Sequence, residues 1–593
     1  MKELLSGNAA IARGAYEAGV TVAAGYPGTP STEILENFAR YPGIYAQWSP
    51  NEKVALEVGA GASIAGARVL VTMKHVGVNV AADPLFTLAY TGVNGGLLLV
   101  SADDPGMHSS QNEQDNRYFA FMNKIPCLEP ADSQEAKDMV ALGLEISEKF
   151  DTPVMLRVTT RVSHSQSFVE QNQPQPANLR PYVKDPQKYV MVPAHGRTRR
   201  VFLEERTARL KEYSESCPYN SIEWADRSVG VITSGISYQY AKEILPQASI
   251  LKLGLTNPMP QKLIKEFAAG VERLLIIEEL EPFLESQIRA LGLEVTGKDL
   301  LPSYGEFNPL LLAGILAQAG FPVAPAYLPR NVAEKEIAAD EIPLPGRPPV
   351  MCAGCPHRSV FYVLKKQKLI VTGDIGCYTL GSLSPLGAMD TCICMGASIG
   401  TALGMEKANP ELSGRTVAVI GDSTFLHSGI TGLLDVVYNG GNTTVLILDN
   451  RTTAMTGHQH NPATGSTLAG QPAPEVDLEA LARAVGVKRV RTVNPMDLSA
   501  LHKVVKEEVA APEPSVIVVR RPCALLKTAL PAEPVEVDTE NCINCGICLN
   551  LGCPAISRKE EKAFVTAIQC NGCGLCVQVC NKGALQKRGE KNA

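Results

Sequence analysis

The fold is set by two apolar runs, RTVAVIGDS at residues 415–423 and TTVLILDN at residues 443–450, each of which ends on polar side chains. Short buried runs separated by helix-like segments are typical of the strands of a parallel α/β sheet. In a doubly wound sheet, ligands bind in the crevice outside the carboxyl ends of the strands. The two runs therefore predict a doubly wound α/β domain whose ligand site lies beside Asp422 and Asn450.

The polar ends of these runs have the spacing of a cofactor site. Asn450 follows Asp422 by 28 positions, and a carboxylate and an amide oxygen at one sheet edge can share a hard cation and a phosphate group. The pattern resembles the Gly-Asp and Asn signature of thiamine diphosphate enzymes. That resemblance implies that Asp422, Asn450 and the carbonyl group of Thr452 hold Mg²⁺ against the diphosphate. The alternative is that Asp422 and Asn450 are ordinary cap or loop-forming residues.

Glycine-rich turns in the same region favour the cofactor interpretation. CAGCPHR at 352–358, GDIGCYTLG at 373–381 and CMGASIGTALG at 394–404 put small residues where a backbone must approach a ligand closely. The candidate cofactor-binding residues in and beside these turns are Gly354, His357, Gly376, Gly396 and Gly421.

An amino-terminal segment has the features expected of the pyrimidine half of such a site. Thiamine enzymes need a buried carboxylate against the pyrimidine N1′. The segment at 51–77, NEKVALEVGAGASIAGARVLVTMKHVG, resembles the family's, and Glu52 stands 25 positions before Gly77, where the family places its catalytic glutamate. Glu57 is the rival candidate. The alternative is that Glu52 is a first-turn acid favoured by the helix dipole.

The cysteines are concentrated in the tail. Eight of the sixteen follow Asn541, and in a large chain without a secretory signal such thiols are typical of metal or redox sites. Two C-x2-C-x2-C runs are each followed by a further cysteine, which resembles the bacterial two-cluster ferredoxins. The first run has four residues, not three, before Cys553, and Asn581 replaces the proline expected after Cys580. Zinc is the alternative, but zinc sites favour separated C-x2-C pairs.

The ferredoxin resemblance implies two 4Fe-4S clusters, because the last cysteine of each run ligates the other cluster. The implied ligand sets are Cys542, Cys545, Cys548 and Cys580 for one cluster, and Cys553, Cys570, Cys573 and Cys576 for the other.

Composition excludes several classes of protein. The chain of 593 residues is 45% hydrophobic and 20% charged, with a net charge of only -6, so there is no basic excess to indicate nucleic-acid binding. The start of the sequence lacks the apolar core of a signal peptide, and the longest apolar runs fall short of the ~20 residues needed to span a bilayer. We therefore expect a cytoplasmic protein without membrane contact.

Taken together, the units along the chain resemble the 2-oxoacid:ferredoxin oxidoreductases, and the resemblance covers essentially the whole sequence. Strand-like and helix-like runs alternate in three α/β units that precede the cysteine-rich tail. The predicted boundaries, with the roles that the resemblance implies, are 1–165 (pyrimidine-binding domain), 166–226 (linker), 227–330 (transketolase-C-terminal-like α/β domain), 331–349 (linker), 350–530 (thiamine diphosphate and Mg²⁺ domain) and 531–593 (ferredoxin-like domain with two 4Fe-4S clusters).

The resemblance also implies an activity and partners. The chain would be the catalytic subunit for coenzyme-A-dependent oxidative decarboxylation of arylpyruvates, converting indole-3-pyruvate to indole-3-acetyl-CoA and CO2 and passing electrons to ferredoxin. A smaller β subunit is expected, in an α2β2 assembly. Other 2-oxoacids, a non-redox thiamine-dependent decarboxylase with a structural cluster domain, and a pure electron carrier are the alternatives.

Two further residues follow from the resemblance alone. The segment YPGTPSTE at 26–33 matches the family's YPITPSS, which makes Thr29 a candidate contact for the substrate carboxylate. Arg117 is a second candidate, because a guanidinium can bind a carboxylate through two hydrogen bonds. A turn between two prolines is the alternative role for Thr29.

Four cysteines outside the tail resemble the ligands of a third cluster in related enzymes. They are Cys352, Cys355, Cys377 and Cys523. The relatives read CPGCGH where this sequence reads CAGCPH, so buried structural thiols remain the alternative.

Overall fold

The computed structural model describes residues 2–327, 349–527 and 532–587. The chain divides into two compact units, Met1–Ile342 and Pro343–Ala593. Each unit has its own sheets and its own hydrophobic cores. The predicted linker at 331–349 lies, apart from residue 349, outside the described residues.

Over residues 2–327, the first unit contains thirteen strands and fourteen helices. The strands are β1 (Lys2–Ser6), β2 (Val22–Gly25), β3 (Tyr45–Trp48), β4 (Val69–Lys74), β5 (Leu97–Asp103), β6 (Cys127–Leu128), β7 (Val154–Thr159), β8 (Gln166–Glu170), β9 (Asn220–Glu223), β10 (Asp226–Ser234), β11 (Ala248–Leu253), β12 (Leu255–Asn257) and β13 (Arg273–Ile277). The helices are α1 (Gly7–Glu17), α2 (Thr32–Phe38), α3 (Glu52–Ile64), α4 (His75–Val80), α5 (Ala82–Thr91), α6 (Arg117–Asn123), α7 (Ser133–Phe150), α8 (Thr160–His164), α9 (Pro186–Tyr189), α10 (Pro193–Ser214), α11 (Ile236–Ile244), α12 (Gln261–Ala269), α13 (Phe283–Arg289) and α14 (Pro309–Gln318).

A seven-stranded sheet forms the centre of this unit, in the order β12-β6-β7-β5-β4-β2-β3. Neighbouring strands run parallel except β12, which is antiparallel to β6. A second sheet has the order β13-β10-β11-β9, with only β9 antiparallel. Because β12 follows β11 in the chain but pairs with β6, the second α/β stretch completes the sheet of the first.

Residues 166–226, for which the sequence predicts a linker, instead fold onto the first unit. β8 pairs with β1, β9 pairs with β11, and α10 is a helix of 22 residues. Leu203 and Leu210 are buried and, seven positions apart, lie on one face of α10. Arg206 between them donates to the carbonyl oxygens of Ala89 and Asp151. The apolar face of α10 is difficult to recognise in the sequence because charged residues dominate the helix.

Helix α3 begins at Glu52 because the side chain of Asn51 caps it, accepting from the Val54 backbone N–H at 2.9 Å. Small residues then let the helix lie close to β4. A Cβ atom on Gly59 would come within 2.4 Å of Val71 Cγ2. Close packing of a capped helix start on a buried strand fixes the position of Glu52.

The second unit contains a parallel sheet and a small carboxyl-terminal region. The strands are β14 (Ile370–Gly373), β15 (Thr391–Cys392), β16 (Thr416–Gly421), β17 (Thr444–Asp449), β18 (Arg489–Val493), β19 (Ser515–Arg520), β20 (Val535–Val537), β21 (Ile556–Lys559), β22 (Lys562–Val565) and β23 (Leu585–Lys587). The helices are α15 (His357–Lys366), α16 (Ala397–Ala408), α17 (Asp422–Thr424), α18 (Ile430–Tyr438), α19 (Leu478–Ala484), α20 (Leu498–Val509) and α21 (Leu575–Val579).

The six-stranded sheet of the second unit has the order β15-β14-β16-β17-β19-β18, and all neighbours run parallel. Val417 and Val419 of β16 belong to one hydrophobic core, and Ala418 and Ile420 belong to another. Successive residues of a strand point to opposite faces, so β16 is covered on both sides. The predicted parallel α/β class is confirmed.

Residues 532–587 form two short antiparallel ribbons, β20 with β23 and β21 with β22. Their core is small and is shared with cysteines, since Leu551, Leu575 and Leu585 cluster with Cys548 and Cys576. Within residues 2–327, 349–527 and 532–587, no helix has the length and apolar character needed to cross a membrane.

Candidate active site and thiol cavities

Asp422 and Asn450 follow neighbouring parallel strands at the same sheet edge. β16 and β17 pair in register up to Gly421 and Leu448, so the next residues of both strands emerge together. Asp422, Asn450 and Thr452 are 2%, 7% and 4% exposed. The structure thus brings together the three residues for which the sequence predicts a shared cation.

Three oxygen atoms of these residues converge: Asp422 Oδ1, the side-chain oxygen of Asn450 and the carbonyl oxygen of Thr452. We call them the oxygen triad. The side-chain oxygen of Asn450 faces the other two oxygens. If the amide group were rotated by 180°, its nitrogen would lie 3.2 Å from Asp422 Oδ1 and 2.7 Å from the Thr452 carbonyl oxygen. All three oxygens are hydrogen-bond acceptors, so without a cation or a donor between them they repel one another. A carboxylate, an amide and a carbonyl oxygen are, however, suitable ligands for Mg²⁺. The donor set therefore fits a bound divalent cation.

The charge of Asp422 fits the same interpretation. Burial, together with the smaller effect of the neighbouring Asp449 carboxylate, raises the pKa of this carboxyl group to about 7. Asn461 donates to Asp422 Oδ2 at 3.4 Å, which is a long hydrogen bond. A buried carboxylate of this kind is costly without a compensating cation.

His357 lies beside the oxygen triad. It is buried, and its Nε2 atom is 3.4 Å from the amide nitrogen of Asn450. Burial lowers the pKa of His357 to about 4, so the ring is neutral at physiological pH. A neutral imidazole can accept from Asn450 and leave the amide oxygen free for a cation.

The predicted glycines divide between two places. A Cβ atom on Gly421 would meet Tyr378 Cε1 at 2.8 Å, and one on Gly376 would meet the same atom at 2.4 Å. Gly354 lies elsewhere, because a Cβ atom there would meet the side chain of Asn571 at 1.8 Å. Gly354 therefore packs against the cysteine-rich region.

Asp374 is a site residue that sequence reasoning missed. It is fully buried and accepts from the backbone N–H groups of Gly396 at 2.9 Å and Ser398 at 3.1 Å. Gly396 has φ of +88°, a left-handed conformation that favours glycine. Asp374 thus holds the first turn of α16. The Gly-Asp pair at the end of β14 was the available signal.

In the first unit, the structure separates Glu52 from its rival. Glu52 is 4% exposed, and a Cβ atom on Gly77 would come within 2.7 Å of its Cγ and Oε1 atoms. Glu57 is exposed and forms an ion pair with Lys53. Only Glu52 combines burial with a glycine that makes room for its carboxyl group.

A lysine beside Glu52 also escaped prediction. Lys74 ends β4, is half-buried, and donates to the Ser109 carbonyl oxygen at 3.0 Å. Ser109 Oγ in turn donates to the carbonyl oxygen of Thr29 at 3.1 Å. Thr29 is itself half-buried. Thr29 and Lys74 therefore occupy one corner of the first unit.

The structure places Arg117, the second candidate contact for the substrate carboxylate, among acidic side chains. Its side chain is 1% exposed and is bound by Asp115 and by Glu278, with an Nη1–Oε2 distance of 2.8 Å to Glu278. Its remaining N–H groups donate to Asp115 and to the carbonyl oxygens of Glu279 and Glu281. These acceptors occupy the guanidinium, and through them Arg117 joins α6 to the segment that follows β13.

The tail cysteines line two cavities in the second unit. Cys542, Cys545, Cys548 and Cys580 line one, together with Arg558 and Lys582. Cys553, Cys570, Cys573 and Cys576 line the other, together with Arg358 and Asn571. Each cavity thus combines three cysteines of one sequence run with the last cysteine of the other run.

Arg358 was not singled out from the sequence. It is buried, and it donates to the carbonyl oxygens of Leu551 at 2.7 Å and of Met351 at 2.6 Å. Its charge lowers the pKa values of the thiols of Cys355 and Cys573, against the larger opposing effect of burial. Arg358 therefore lies between the second thiol cavity and the cysteines of the CAGCPHR turn.

The four cysteines of the possible third set are also neighbours. Burial, together with the smaller effects of Cys523 and Cys352, raises the pKa of Cys377 to about 11. Burial likewise raises the pKa of Cys355 to about 12, with contributions from Cys352 and Cys377. The backbone N–H of Cys523 donates to the Asn450 carbonyl oxygen at 2.9 Å, so this set adjoins the oxygen triad.

Within the described residues, no three His, Cys, Asp or Glu side chains converge closely enough to hold one metal ion. A single ion needs its ligands around one point, whereas each thiolate of a 4Fe-4S cluster binds a separate iron.

Two family models match the chain. The model described as pyruvate flavodoxin/ferredoxin oxidoreductase, thiamine diphosphate-binding, matches residues 13–218. The model described as thiamine pyrophosphate enzyme, C-terminal TPP-binding domain, matches residues 374–519. These ranges contain Glu52 and the oxygen triad, respectively.

Curated relatives match over almost the full length. Indolepyruvate oxidoreductase subunit IorA of Archaeoglobus fulgidus is 40% identical, with 99% of this chain and 97% of that protein covered. The chain belongs to the IorA family. The IorA of Pyrococcus horikoshii is 42% identical, and the match covers 99% of this chain and 97% of that protein. The family resemblance derived from the motifs is confirmed.

A solved structure, 2-oxoglutarate:ferredoxin oxidoreductase from Magnetococcus marinus with 2-oxoglutarate, coenzyme A and succinyl-CoA bound, is more distant. It is 17% identical to this IorA-family chain, with a TM-score of 0.45, and the match covers 54% of this chain and 65% of that chain.

Proposed function

We propose that this chain is the catalytic subunit for oxidative decarboxylation of arylpyruvates, converting indole-3-pyruvate and coenzyme A to indole-3-acetyl-CoA and CO2 with electrons passed to ferredoxin. The observation that carries the proposal is the oxygen triad of Asp422, Asn450 and Thr452 in one chain with two cavities of four thiols each. The names of the full-length relatives support indolepyruvate as the substrate.

The residues of the thiamine site would divide the work as follows. Asp422, Asn450 and the Thr452 carbonyl group hold Mg²⁺ and, through it, the diphosphate. Glu52 holds a proton at the pyrimidine N1′, for which its burial against Gly77 fits it. Thiamine diphosphate, when bound, would supply the nucleophilic carbon and the electron sink that decarboxylation of a 2-oxoacid requires.

The thiol cavities supply the redox half of the proposal. Cys542, Cys545, Cys548 and Cys580 would hold one 4Fe-4S cluster, and the set lining the second cavity would hold another. We assign a third cluster to Cys352, Cys355, Cys377 and Cys523, because these thiols are mutual neighbours and Cys523 is hydrogen-bonded to Asn450. Clusters suit this reaction because each accepts one electron at a time.

We retain the domain roles implied by the sequence, with residues 166–226 now included in the first unit. Residues 1–165 bind the pyrimidine, 227–330 form the transketolase-C-terminal-like domain, 350–530 bind the diphosphate and 531–593 form a ferredoxin-like domain. A smaller β subunit in an α2β2 assembly, ferredoxin and coenzyme A are the proposed partners. Reduced thiolate ligands favour a cytoplasmic location.

A substrate panel tests the proposal. The complex is prepared without oxygen and supplied with coenzyme A, a viologen dye and indole-3-pyruvate, phenylpyruvate, pyruvate or 2-oxoglutarate. We expect coenzyme-A-dependent dye reduction, fastest with the arylpyruvates. Equal rates with pyruvate would refute the aryl preference. Aldehyde formation without dye reduction would instead identify a non-redox decarboxylase.

A further inference from the structure

A half-buried lysine at the carboxyl end of β4 has fewer partners than its charge requires. Lys74 Nζ donates to the Ser109 carbonyl oxygen at 3.0 Å. Among the described residues, no carboxylate forms an ion pair with it, and it has no second hydrogen bond. An ammonium group carries three donors, so two of them remain for a ligand.

The lysine lies against the turn that contains Thr29. A Cβ atom on Gly28 would come within 3.0 Å of Lys74 Cγ and Cδ. Ser109 links the same two segments, since it accepts from Lys74 and donates to the Thr29 carbonyl oxygen at 3.1 Å. The ammonium group is therefore fixed at the corner where Thr29 lies.

Two carboxylates act on this ammonium without neutralising it by contact. Burial lowers the pKa of Lys74 to about 8, against the smaller opposing effects of Asp104 and Glu52. Asp104 is engaged elsewhere, accepting from the Ser109 backbone N–H at 2.8 Å and from Ser110 Oγ at 2.7 Å. Glu52 is the proposed partner of the pyrimidine. Among the described residues, neither acid forms an ion pair with Lys74.

The site therefore has an unsatisfied cation next to the residue proposed to work on thiamine, while Arg117, the cation implied by family resemblance, is occupied by acids. We propose that Lys74 binds the carboxylate of the 2-oxoacid substrate through its two remaining N–H donors. This inference rests on the proposed function. The contact would let the enzyme distinguish a 2-oxoacid from a neutral ketone or aldehyde, because a charge-assisted hydrogen bond needs the anion.

Binding of unreactive analogues to the anaerobically prepared complex tests the inference. The probes are indole-3-propionate and its neutral amide, each titrated calorimetrically with thiamine diphosphate and Mg²⁺ present. Wild type should prefer the acid. Lys74→Met should weaken binding of the acid by about 10- to 100-fold, the range expected for a hydrogen bond to a charged group, and leave the amide unchanged. Lys74→Arg should restore part of the preference.

Lys53→Met is the matched control, because Lys53 is an exposed lysine of the same unit whose partner is Glu57. It should bind both probes as wild type does. The inference is overturned if Lys74→Met keeps the preference for the acid, if both probes weaken equally, or if thiamine diphosphate binding falls by the same factor. A complex that shows the lysine-dependent preference but reduces no dye with any 2-oxoacid would refute the proposed function and leave this inference standing.

Discussion

The backbone N–H of Cys523 donates to the carbonyl oxygen of Asn450 over 2.9 Å. One backbone contact thus joins a proposed cluster ligand to a residue of the oxygen triad. β17 and β19 are paired neighbours, so the segments that leave their carboxyl ends run side by side. The proposed third cysteine set and the oxygen triad therefore lie at the same sheet edge.

Gly77 should be required for Glu52 to adopt its position. In Gly77→Ala, the new Cβ atom would come within 2.7 Å of Glu52 Cγ and Oε1, and the carboxyl group must move. We expect kcat for dye reduction to fall by about 100-fold or more, with the fold retained by circular dichroism. Gly61→Ala on α3 is the control, since a Cβ atom there meets nothing within 4 Å. Unchanged kcat in Gly77→Ala would contradict the role of Glu52.

Glu52 and Glu57 should differ sharply. Glu52→Gln removes the proposed proton-holding group at N1′, so kcat should drop by about 100- to 10,000-fold. Glu57→Gln removes only an exposed ion pair with Lys53 and should leave kcat and stability nearly unchanged. Steady-state kinetics on both variants decides between them, and a larger loss in Glu57→Gln would reverse the assignment.

Asp422 should control cofactor binding through Mg²⁺. Asp422→Asn keeps the shape of the side chain but removes the only charge among the three predicted ligands, so Mg²⁺-dependent binding of thiamine diphosphate should weaken at least about 10-fold. Fluorescence titration at several Mg²⁺ concentrations measures this effect. Asp435→Asn on the exposed face of α18 is the control. Cofactor binding that is independent of Mg²⁺ in wild type would refute the cation site.

Iron content should report the number of clusters. Three 4Fe-4S clusters require about twelve irons per chain, whereas two require about eight. Cys580→Ser should remove or convert the cluster proposed at the Cys542 cavity, as seen by electron paramagnetic resonance, and leave the Cys553 cavity occupied. Cys217→Ala, a buried thiol outside all three sets, should keep full iron content. A Cys580→Ser protein that lost the other cluster instead would overturn the ligand pairing.

Substrate affinity should depend on the protonation of Lys74. Burial lowers the pKa of Lys74 to about 8, so the group is charged below that pH and neutral above it. The carboxylates that act on it are Asp104 and Glu52, and the adjacent titratable group is His75, whose own pKa is lowered by burial. We expect KM for indole-3-pyruvate to rise as pH increases through about 8. Lys74→Arg should abolish this rise, because arginine stays protonated; an identical profile in that variant would count against the lysine.

Local sequence patterns were enough to predict the strands of the parallel sheet and the two cysteine runs of the tail. Buried runs that end on Asp422 and Asn450 predicted parallel strands and a shared edge, since strand direction fixes which ends meet. The spacing of the tail cysteines likewise separated two runs. The sequence predicts a linker at 166–226 because the two buried leucines of α10 lie among many charged residues, and local polarity outweighs a sparse apolar face.

The burial of a side chain and the partners of a charged group depend on the tertiary structure. Glu52 and Glu57 differ in burial because one faces Gly77 and the other faces solvent. Arg117 and Lys74 differ in their partners because Asp115 and Glu278, the latter 161 positions away, enclose the arginine, while no acid contacts the lysine among the described residues. The partners of a charge come from distant segments of the chain, and residue spacing carries no record of them.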